Sequence, residues 1–275
     1  MPELPETETI ARDLDRAVSG ARIIGASVYR ADVLRDITAA ALSRRLAGAR
    51  IERSYRRAKA VVILLDTNDR VVVQPRFTGA LLVDDGTLPA EARSYVTVSF
   101  ALEDGRSLAY RDIRRLGTLA LMSPARFAKF DAALGPEPLD PAFTPTHLSG
   151  ILRDSRQAVK KLLMDQRRLA GVGNIYANEA LWRAGIDPSR AARTITSEEA
   201  TSLHSGLTGV LRDAIEARGT SFRDYRDASG ARGGFSGLLS AYGRGGLPCP
   251  RCGATLVDTS AIDGRTTVFC AWCQR

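Results

Sequence analysis

Apolar residues recur at helical spacing near the start of the chain, between Glu6 and Val18, and Gly20 follows as a typical helix end. The apolar positions of this segment are Ile10, Leu14, Ala17 and Val18. The pattern predicts a single helix that precedes a long stretch of different character.

Short apolar segments with strand character follow this helix. They are rich in β-branched and aromatic residues, and Asp104-Gly105 marks a hairpin turn between two of them. The predicted strands are Ile23 to Tyr29, Ala49 to Tyr55, Val61 to Leu65, Val71 to Gln74, Ala80 to Val83, Tyr95 to Leu102, Leu108 to Tyr110, and Thr118 to Met122. The first half is therefore predicted to be a β-sandwich with one leading helix.

The second half changes to helical spacing. A proline-rich stretch from Gly135 to Gly150 has the composition of an interdomain linker. Helices are predicted at Ala158 to Met164, Ile175 to Ala184, and Ser197 to Ala217. The Gly-, Ser- and Arg-rich stretch from Gly219 to Gly246 is long enough to be either a functional loop or a disordered one.

The charge balance adds a partner class to this picture. Lys plus Arg number 39 against 31 for Asp plus Glu, which gives a formal net charge of +8. Such a surplus favours a polyanion, nucleic acid before membrane. No apolar run has the length of a membrane span, and the acidic N-terminus does not resemble a signal peptide. We therefore expect a soluble cytoplasmic protein with no membrane partner.

The four cysteines have the spacing of a metal site. Two C-x2-C pairs, separated by 17 residues, use every cysteine of the chain. The predicted ligands of one structural Zn²⁺ are Cys249, Cys252, Cys270 and Cys273. Four thiolates leave no open coordination position, so this metal would fold a hairpin and take no part in chemistry. Arg265 would lie near the hairpin tip beside a turn at Asp263-Gly264, although an isolated arginine there is more often only solvated.

The first residues carry candidate chemistry. If Met1 is removed, Pro2 presents a free secondary amine directly before the carboxylate of Glu3. An α-amino group titrates at about 7.7–8.0, against about 10.4 for a lysine, so part of it is nucleophilic at neutral pH. A secondary amine also condenses with an aldehyde carbon to a cationic iminium. The alternative is an ordinary helix start, with proline in the first turn and acids near the positive end of the dipole.

Three further stretches are candidates for binding phosphate or DNA. Glycines before Asn174, as a predicted N-cap, would expose backbone N–H groups at a positive helix end. The segments Gln74–Gly79 and Asp112–Gly117 place arginines beside apolar residues between predicted strands, as wedges for a duplex would require. Each feature alone is more often a plain helix cap or a salt-bridged loop.

Taken together, four motifs resemble one known family. They are Pro2 to Glu6, the run from Leu163 to Leu181, the segment Ala241-Tyr242-Gly243-Arg244, and the zinc hairpin that ends Cys273-Gln274-Arg275. The chain resembles the formamidopyrimidine-DNA glycosylases, bacterial enzymes that excise oxidised purines such as 8-oxoguanine. Its opening is closer to this branch than to the sister branch of endonuclease VIII-like enzymes.

The resemblance implies a set of catalytic roles. Pro2 would attack C1′ of the damaged nucleotide, and Glu3 would protonate the sugar ring oxygen. Glu6 would support that centre, and Lys59 matches the catalytic lysine of a hairpin loop. β- and then δ-elimination would cut the strand on both sides of the lesion.

The resemblance also implies a DNA-binding set and its departures. Phosphate contacts are expected from Asn174, Lys160, Tyr242, Arg265 and, where the family has a histidine, Gln74. Phe77 replaces the usual void-filling methionine and Leu116 the usual aromatic wedge, while Arg114 is retained and could read the opposite base. Residues Gly219 to Gly243 would contain the loop that closes over an everted base.

These observations predict an α+β protein with damaged duplex DNA as its partner. The predicted domains are a catalytic β-sandwich at 1–134, a linker at 135–150, a helix-two-turns-helix domain with the lesion loop at 151–246, and a four-cysteine zinc finger at 247–275. We expect a monomer without an obligate protein partner, associated with the nucleoid when bound to DNA. Two alternatives stay open: a preference for oxidised pyrimidines or other lesions, and a lesion-binding protein without catalysis.

Overall fold

The computed structural model describes residues 2–222 and 224–275, so the predicted removal of Met1 lies outside the described residues. The chain folds into two compact units. The first comprises Met1–Ala132 and Ala217–Gly234, and the second Ala133–Glu216 and Phe235–Arg275.

The first unit is a β-sandwich with α1 at its start. Its elements are α1 (Leu4–Val18), β1 (Ile23–Val28), α2 (Ala39–Leu46), β2 (Ile51–Arg57), β3 (Ala60–Leu65), β4 (Arg70–Gln74), β5 (Gly79–Asp84), α3 (Ala90–Ser94), β6 (Val96–Leu102), β7 (Ser107–Asp112), β8 (Thr118–Met122) and α4 (Pro124–Ala132). Two antiparallel four-stranded sheets have the strand orders β1-β6-β7-β5 and β2-β3-β4-β8. The predicted strands are confirmed, and the Asp104-Gly105 turn joins β6 to β7.

One apolar core is shared by both sheets and by α1. Ile10 and Leu14 of α1 are fully buried against strand residues of both sheets, among them Val61 and Phe100. Burying an aliphatic or aromatic side chain of this size contributes about 1.5–3 kcal/mol, so this helix is an integral part of the sandwich. The first unit contains three further short helices, α2, α3 and α4, besides the one leading helix that was expected. Their local sequence pattern does not identify them as helices.

The segment 217–234 belongs to the first unit by its packing. Tyr225 and Ala228 are buried in the sandwich core, and the Val83 N–H donates to the Ala228 carbonyl at 3.1 Å. The sequence interpretation put these residues with the helical domain, since they follow its last helix directly. Their packing partners are more than a hundred residues away along the chain, and a local sequence pattern does not predict such contacts.

The second unit contains helices and a small hairpin. Its elements are α5 (Pro145–Arg153), α6 (Val159–Leu163), α7 (Asn174–Ala184), α8 (Ser197–Glu216), β9 (Val257–Thr259) and β10 (Thr267–Phe269). α8 packs against α5 and α7, and β10 packs against α7. α5 begins inside the stretch predicted as a linker, with Thr144 as its N-cap. Among the described residues, no helix is both long and apolar enough to cross a bilayer.

Candidate active site and metal centre

The start of α1 holds three buried groups of the predicted catalytic set. Pro2 is buried, and Glu3 and Glu6 are 2% and 1% exposed. One carboxylate oxygen of Glu6 accepts the backbone N–H of Glu3 at 2.8 Å, and the other accepts the Thr220 N–H at 2.7 Å. Glu6 therefore fixes the backbone at the predicted reacting end and ties it to segment 217–234.

The predicted catalytic lysine occupies the tight turn between β2 and β3. Lys59 is half-buried and follows Ala58, whose φ is +53°. The turn is fastened to α1 on its β2 side, because the Arg56 guanidinium donates to the Glu8 carboxylate at 2.9 Å. The local geometry thus fixes the hairpin that carries Lys59 relative to the first turns of α1.

Two loops at one end of the sandwich carry the predicted wedges. Phe77, after β4, and Leu116, after β7, are 46% and 42% exposed. The guanidinium of Arg114 lies over the Phe77 ring, 5.3 Å from its centroid. The structure therefore brings together Phe77 and Arg114, which the sequence placed in separate segments, while Gln74 ends β4 at the base of the first loop.

The buried residue between these loops is Asp112, 1% exposed. Its carboxylate accepts the Thr78 hydroxyl, the Gly117 N–H at 2.8 Å, and the Tyr110 hydroxyl at 3.4 Å. Burial is the larger cause and the Asp112 charge the second, and both raise the pKa of Tyr110 well above its usual range. The Tyr110 hydroxyl therefore stays protonated and acts as a hydrogen-bond donor.

The four cysteines of the second unit fit one structural Zn²⁺, as predicted. Their sulfur atoms lie within 4.8 Å of one another. A tetrahedral Zn–S shell with bonds near 2.3 Å needs sulfurs about 3.8 Å apart, which this cluster can supply. The chain around the cluster is fixed by Gln274, which accepts the Cys270 N–H and donates to the Ile186 carbonyl, each at 2.8 Å.

Two predicted phosphate ligands contact the segment at the hairpin tip. Lys160 is fully buried, and its ammonium donates to the Thr267 hydroxyl at 2.7 Å and to the Thr266 carbonyl at 3.2 Å. The Asn174 amide donates to the same Thr266 carbonyl at 3.0 Å. Arg265, the residue before Thr266, is exposed at the predicted tip.

The structure corrects one expectation about this region. Asn174 is the first residue of α7 and not its N-cap, because Gly173 holds the cap position. The phosphate contacts of Lys160 and Asn174 stay predictions, and the Lys160 ammonium is buried beneath the hairpin. Both side chains hold the segment that presents Arg265.

A buried glutamate organises the segment that contains Tyr242. One oxygen of Glu179 accepts the N–H groups of Ala241 and Tyr242, both at 2.8 Å, and the other accepts the Ser240 N–H at 3.0 Å. Glu179 is fully buried. It therefore fixes the backbone of the predicted phosphate ligand Tyr242.

Segment 217–234 is anchored a second time by charge. The Arg218 guanidinium donates to Asp13 and Asp227, both at 2.5 Å. Burial would raise the pKa of Asp227, but hydrogen bonds from Arg218, Ser229 and Ala231 lower that pKa below its usual range. The segment described as a candidate loop is thus tied to α1 through Asp13.

Sequence reasoning did not single out Asp112, Thr220 or Glu179 for these roles. Glu179 left a usable signal, because it is an acid one helical turn after the apolar Ile175 and Tyr176, and a buried acid needs donors. Thr220 acts through its backbone N–H, so the identity of its side chain gives no signal of this role.

Comparison with known proteins covers most of the chain. Residues 1–119 match the model of the formamidopyrimidine-DNA glycosylase N-terminal domain, and residues 134–226 match that of the formamidopyrimidine-DNA glycosylase H2TH domain. Residues 246–275 match a zinc finger found in FPG and IleRS.

Whole-chain relatives agree with these matches. The formamidopyrimidine-DNA glycosylase of Roseiflexus sp. strain RS-1 is 40% identical, with full coverage of both chains. A Lactococcus lactis FPG mutant, solved with DNA that contains Fapy-dG, superposes with a TM-score of 0.91 at 30% identity over the whole of both chains. The wild-type Lactococcus lactis FPG was solved with DNA that contains an oxidised pyrimidine, and it superposes with a TM-score of 0.90 at 29% identity and full coverage of both chains.

Proposed function

The chain belongs to the formamidopyrimidine-DNA glycosylase family, whose members repair damaged bases in DNA, and from that premise we propose that it excises 8-oxoguanine and formamidopyrimidines from duplex DNA. We propose further that it cuts the strand at the resulting site. The observation that carries this proposal is the buried start of α1, where Pro2 and Glu3 are buried and Glu6 accepts the Glu3 N–H.

Pro2 supplies the nucleophile of the proposed reaction. Its unprotonated secondary amine attacks C1′, the bond from C1′ to the base breaks, and the base leaves. Opening of the sugar then gives a C1′ iminium on the Pro2 nitrogen. This cation acidifies the C2′–H, so loss of that proton expels the 3′ phosphate, and δ-elimination then expels the 5′ phosphate.

The acids and the lysine act around this centre. Glu3 donates a proton to the sugar ring oxygen as its bond to C1′ breaks, which is the role of a general acid. Glu6 acts through position, since it fixes the Glu3 backbone N–H. Lys59 is proposed as the catalytic lysine of the β2–β3 turn, on a hairpin that the Arg56–Glu8 ion pair ties to α1.

The second unit is proposed to supply phosphate contacts. Arg265 is exposed at the hairpin tip and can donate to a phosphate from its guanidinium. Asn174 and Lys160 hold that tip in place through Thr266. Both are proposed as further phosphate contacts, together with Tyr242 of the same unit and Gln74 of the first unit. We propose that the chain acts as a monomer in the cytoplasm, at the nucleoid.

A second substrate class has a specific observation in its favour. The exposed wedge positions carry Phe77 and Leu116, which differ from the expected methionine and aromatic residue. A changed wedge changes which base is unstacked at least cost, so oxidised pyrimidines are the alternative substrate.

Borohydride trapping tests the proposal. The chain, with Met1 removal verified by mass, is mixed with duplexes that carry 8-oxoguanine, a ring-opened purine, an oxidised pyrimidine or an abasic site, beside Pro2→Gly. We expect a covalent adduct that requires Pro2, and the order of trapping ranks the lesions. If every duplex is bound but none is trapped, the enzyme proposal fails and a lesion-binding protein takes its place.

A further inference from the structure

The two exposed wedge loops are joined by one buried carboxylate and by a direct hydrogen bond. Asp112 accepts the Thr78 hydroxyl from the loop after β4, and it accepts the Gly117 N–H at 2.8 Å from the end of the loop after β7. The Thr78 oxygen in turn accepts the Arg114 N–H at 3.0 Å. The chain of hydrogen bonds therefore runs from one loop to the other and back.

The backbone around this carboxylate is closely packed at two glycines. A Cβ on Gly117 would lie 2.1 Å from the Tyr110 hydroxyl and 2.7 Å from the Gln74 carbonyl. A Cβ on Gly79 would lie 2.2 Å from the Pro75 carbonyl oxygen. Both approaches are closer than any side chain permits, so each loop closes tightly at the point where the network holds it.

The side chains that this network presents are apolar and exposed. Phe77 and Leu116 each retain more than two fifths of their surface accessible. The Arg114 guanidinium lies against the Phe77 ring, so the charge and the aromatic face come from different loops. The arrangement fits stacked bases with flanking negative charge, and such a partner is duplex DNA.

We propose that Asp112 is a positioning residue that makes the two loops one probing surface and thereby determines how well the chain distinguishes a damaged base from an intact one. This inference rests on the proposed function. A side chain that unstacks a base must stay in position while it contacts the base pair, because a mobile loop would move before the base unstacks. Asp112 provides that resistance without itself contacting DNA.

The test separates unstacking from chemistry. Asp112→Asn and Thr78→Val each remove part of the network, from opposite sides. Asp104→Asn is the matched control, since Asp104 is an exposed carboxylate in the β6–β7 turn of the same unit. Each variant is assayed by single-turnover excision of an 8-oxoguanine or oxidised pyrimidine from duplex DNA, and by strand cleavage at a preformed abasic site.

We expect both network variants to excise the damaged base about tenfold more slowly, the size of one lost hydrogen bond to a charged group. Abasic-site cleavage is expected to stay within about twofold of the wild type, because no base has to be unstacked there. A 2-aminopurine beside the lesion reports unstacking directly, and its rapid fluorescence rise is expected to shrink in both variants. Asp104→Asn is expected to match the wild type in every assay.

Two outcomes overturn the inference. Equal losses of excision and abasic cleavage would assign Asp112 to fold stability or to the chemistry itself. An unchanged 2-aminopurine signal in Thr78→Val, a variant that keeps the buried carboxylate, would show that the loops act separately. Failure of the proposed function appears elsewhere, as a wild-type chain that cleaves no duplex.

Discussion

Two buried glutamates hold distant backbone in place, and they do so differently. Glu6, in the first unit, divides its oxygens between the Glu3 and Thr220 N–H groups, which belong to two segments. Glu179, in the second unit, accepts three successive N–H groups, from Ser240 to Tyr242, and all of them belong to one segment. Glu6 therefore couples the proposed reacting end to segment 217–234, whereas Glu179 only shapes a loop.

The largest expected effect comes from removing the metal of the second unit. Structural zinc contributes on the order of 10 kcal/mol or more to the folding of small fingers. Chelation, or Cys270→Ser, is expected to unfold residues 247–275 and to weaken DNA binding more than about a hundredfold. Hydrogen exchange is expected to show α1 still protected, and loss of that protection would contradict independent folding of the Glu6 region.

Glu6→Gln is expected to have the next largest effect, which is a slower rate of abasic-site cleavage. An amide cannot accept from two N–H donors with both of its polar atoms, so one buried N–H loses its partner. Small displacements of reacting groups cost about a hundredfold in rate, and we expect that loss in abasic-site cleavage at saturating DNA. Glu52→Gln, the same change at an exposed position of β2, is the control. If cleavage stays normal in Glu6→Gln, the coupling assigned to Glu6 is wrong.

Glu179→Gln is expected to leave that rate unchanged and to cost stability instead. At least one of three buried N–H groups loses its acceptor, which costs about 1–3 kcal/mol. Urea unfolding measures this loss, and a titration with duplex DNA is expected to show weaker binding as Tyr242 shifts. A slower single-turnover rate at saturating DNA would remove the distinction between the two glutamates.

The smallest effect concerns the second anchor of segment 217–234. Because the pKa of Asp227 is lowered in the folded chain, its stabilising contribution is fully present above the ordinary aspartate pKa of about 3.9. It is lost as pH falls through the lower folded pKa. The difference in unfolding free energy between wild type and Asp227→Asn is thus expected to be constant from pH 7 to about 5 and to shrink in stronger acid. A difference that grows on acidification would contradict this sign.

The sequence predicted the strands of the sandwich, the helix at the start and the cysteine ligands, because each has a local period or spacing. It did not predict where segment 217–234 packs or that Lys160 is buried, since both depend on contacts between residues far apart in the chain. The sequence did not predict the Arg114–Phe77 contact either, because the loops that carry these residues meet only after β4, β5, β7 and β8 have paired. Roles for Pro2, Glu3 and Lys59 rest on family resemblance and stay predictions.

The tight closure at Gly79 and Gly117 makes this end of the sandwich a natural template for protein engineering. Backbone anchors and wedge side chains are separate there, so positions 77 and 116 can be randomised together while the glycines and Asp112 are kept. A library of fixed loop length would then sample new lesion preferences on an unchanged scaffold. Insertions in either loop would be selected against, because they would pull the closing glycine away from the carbonyl or hydroxyl it meets.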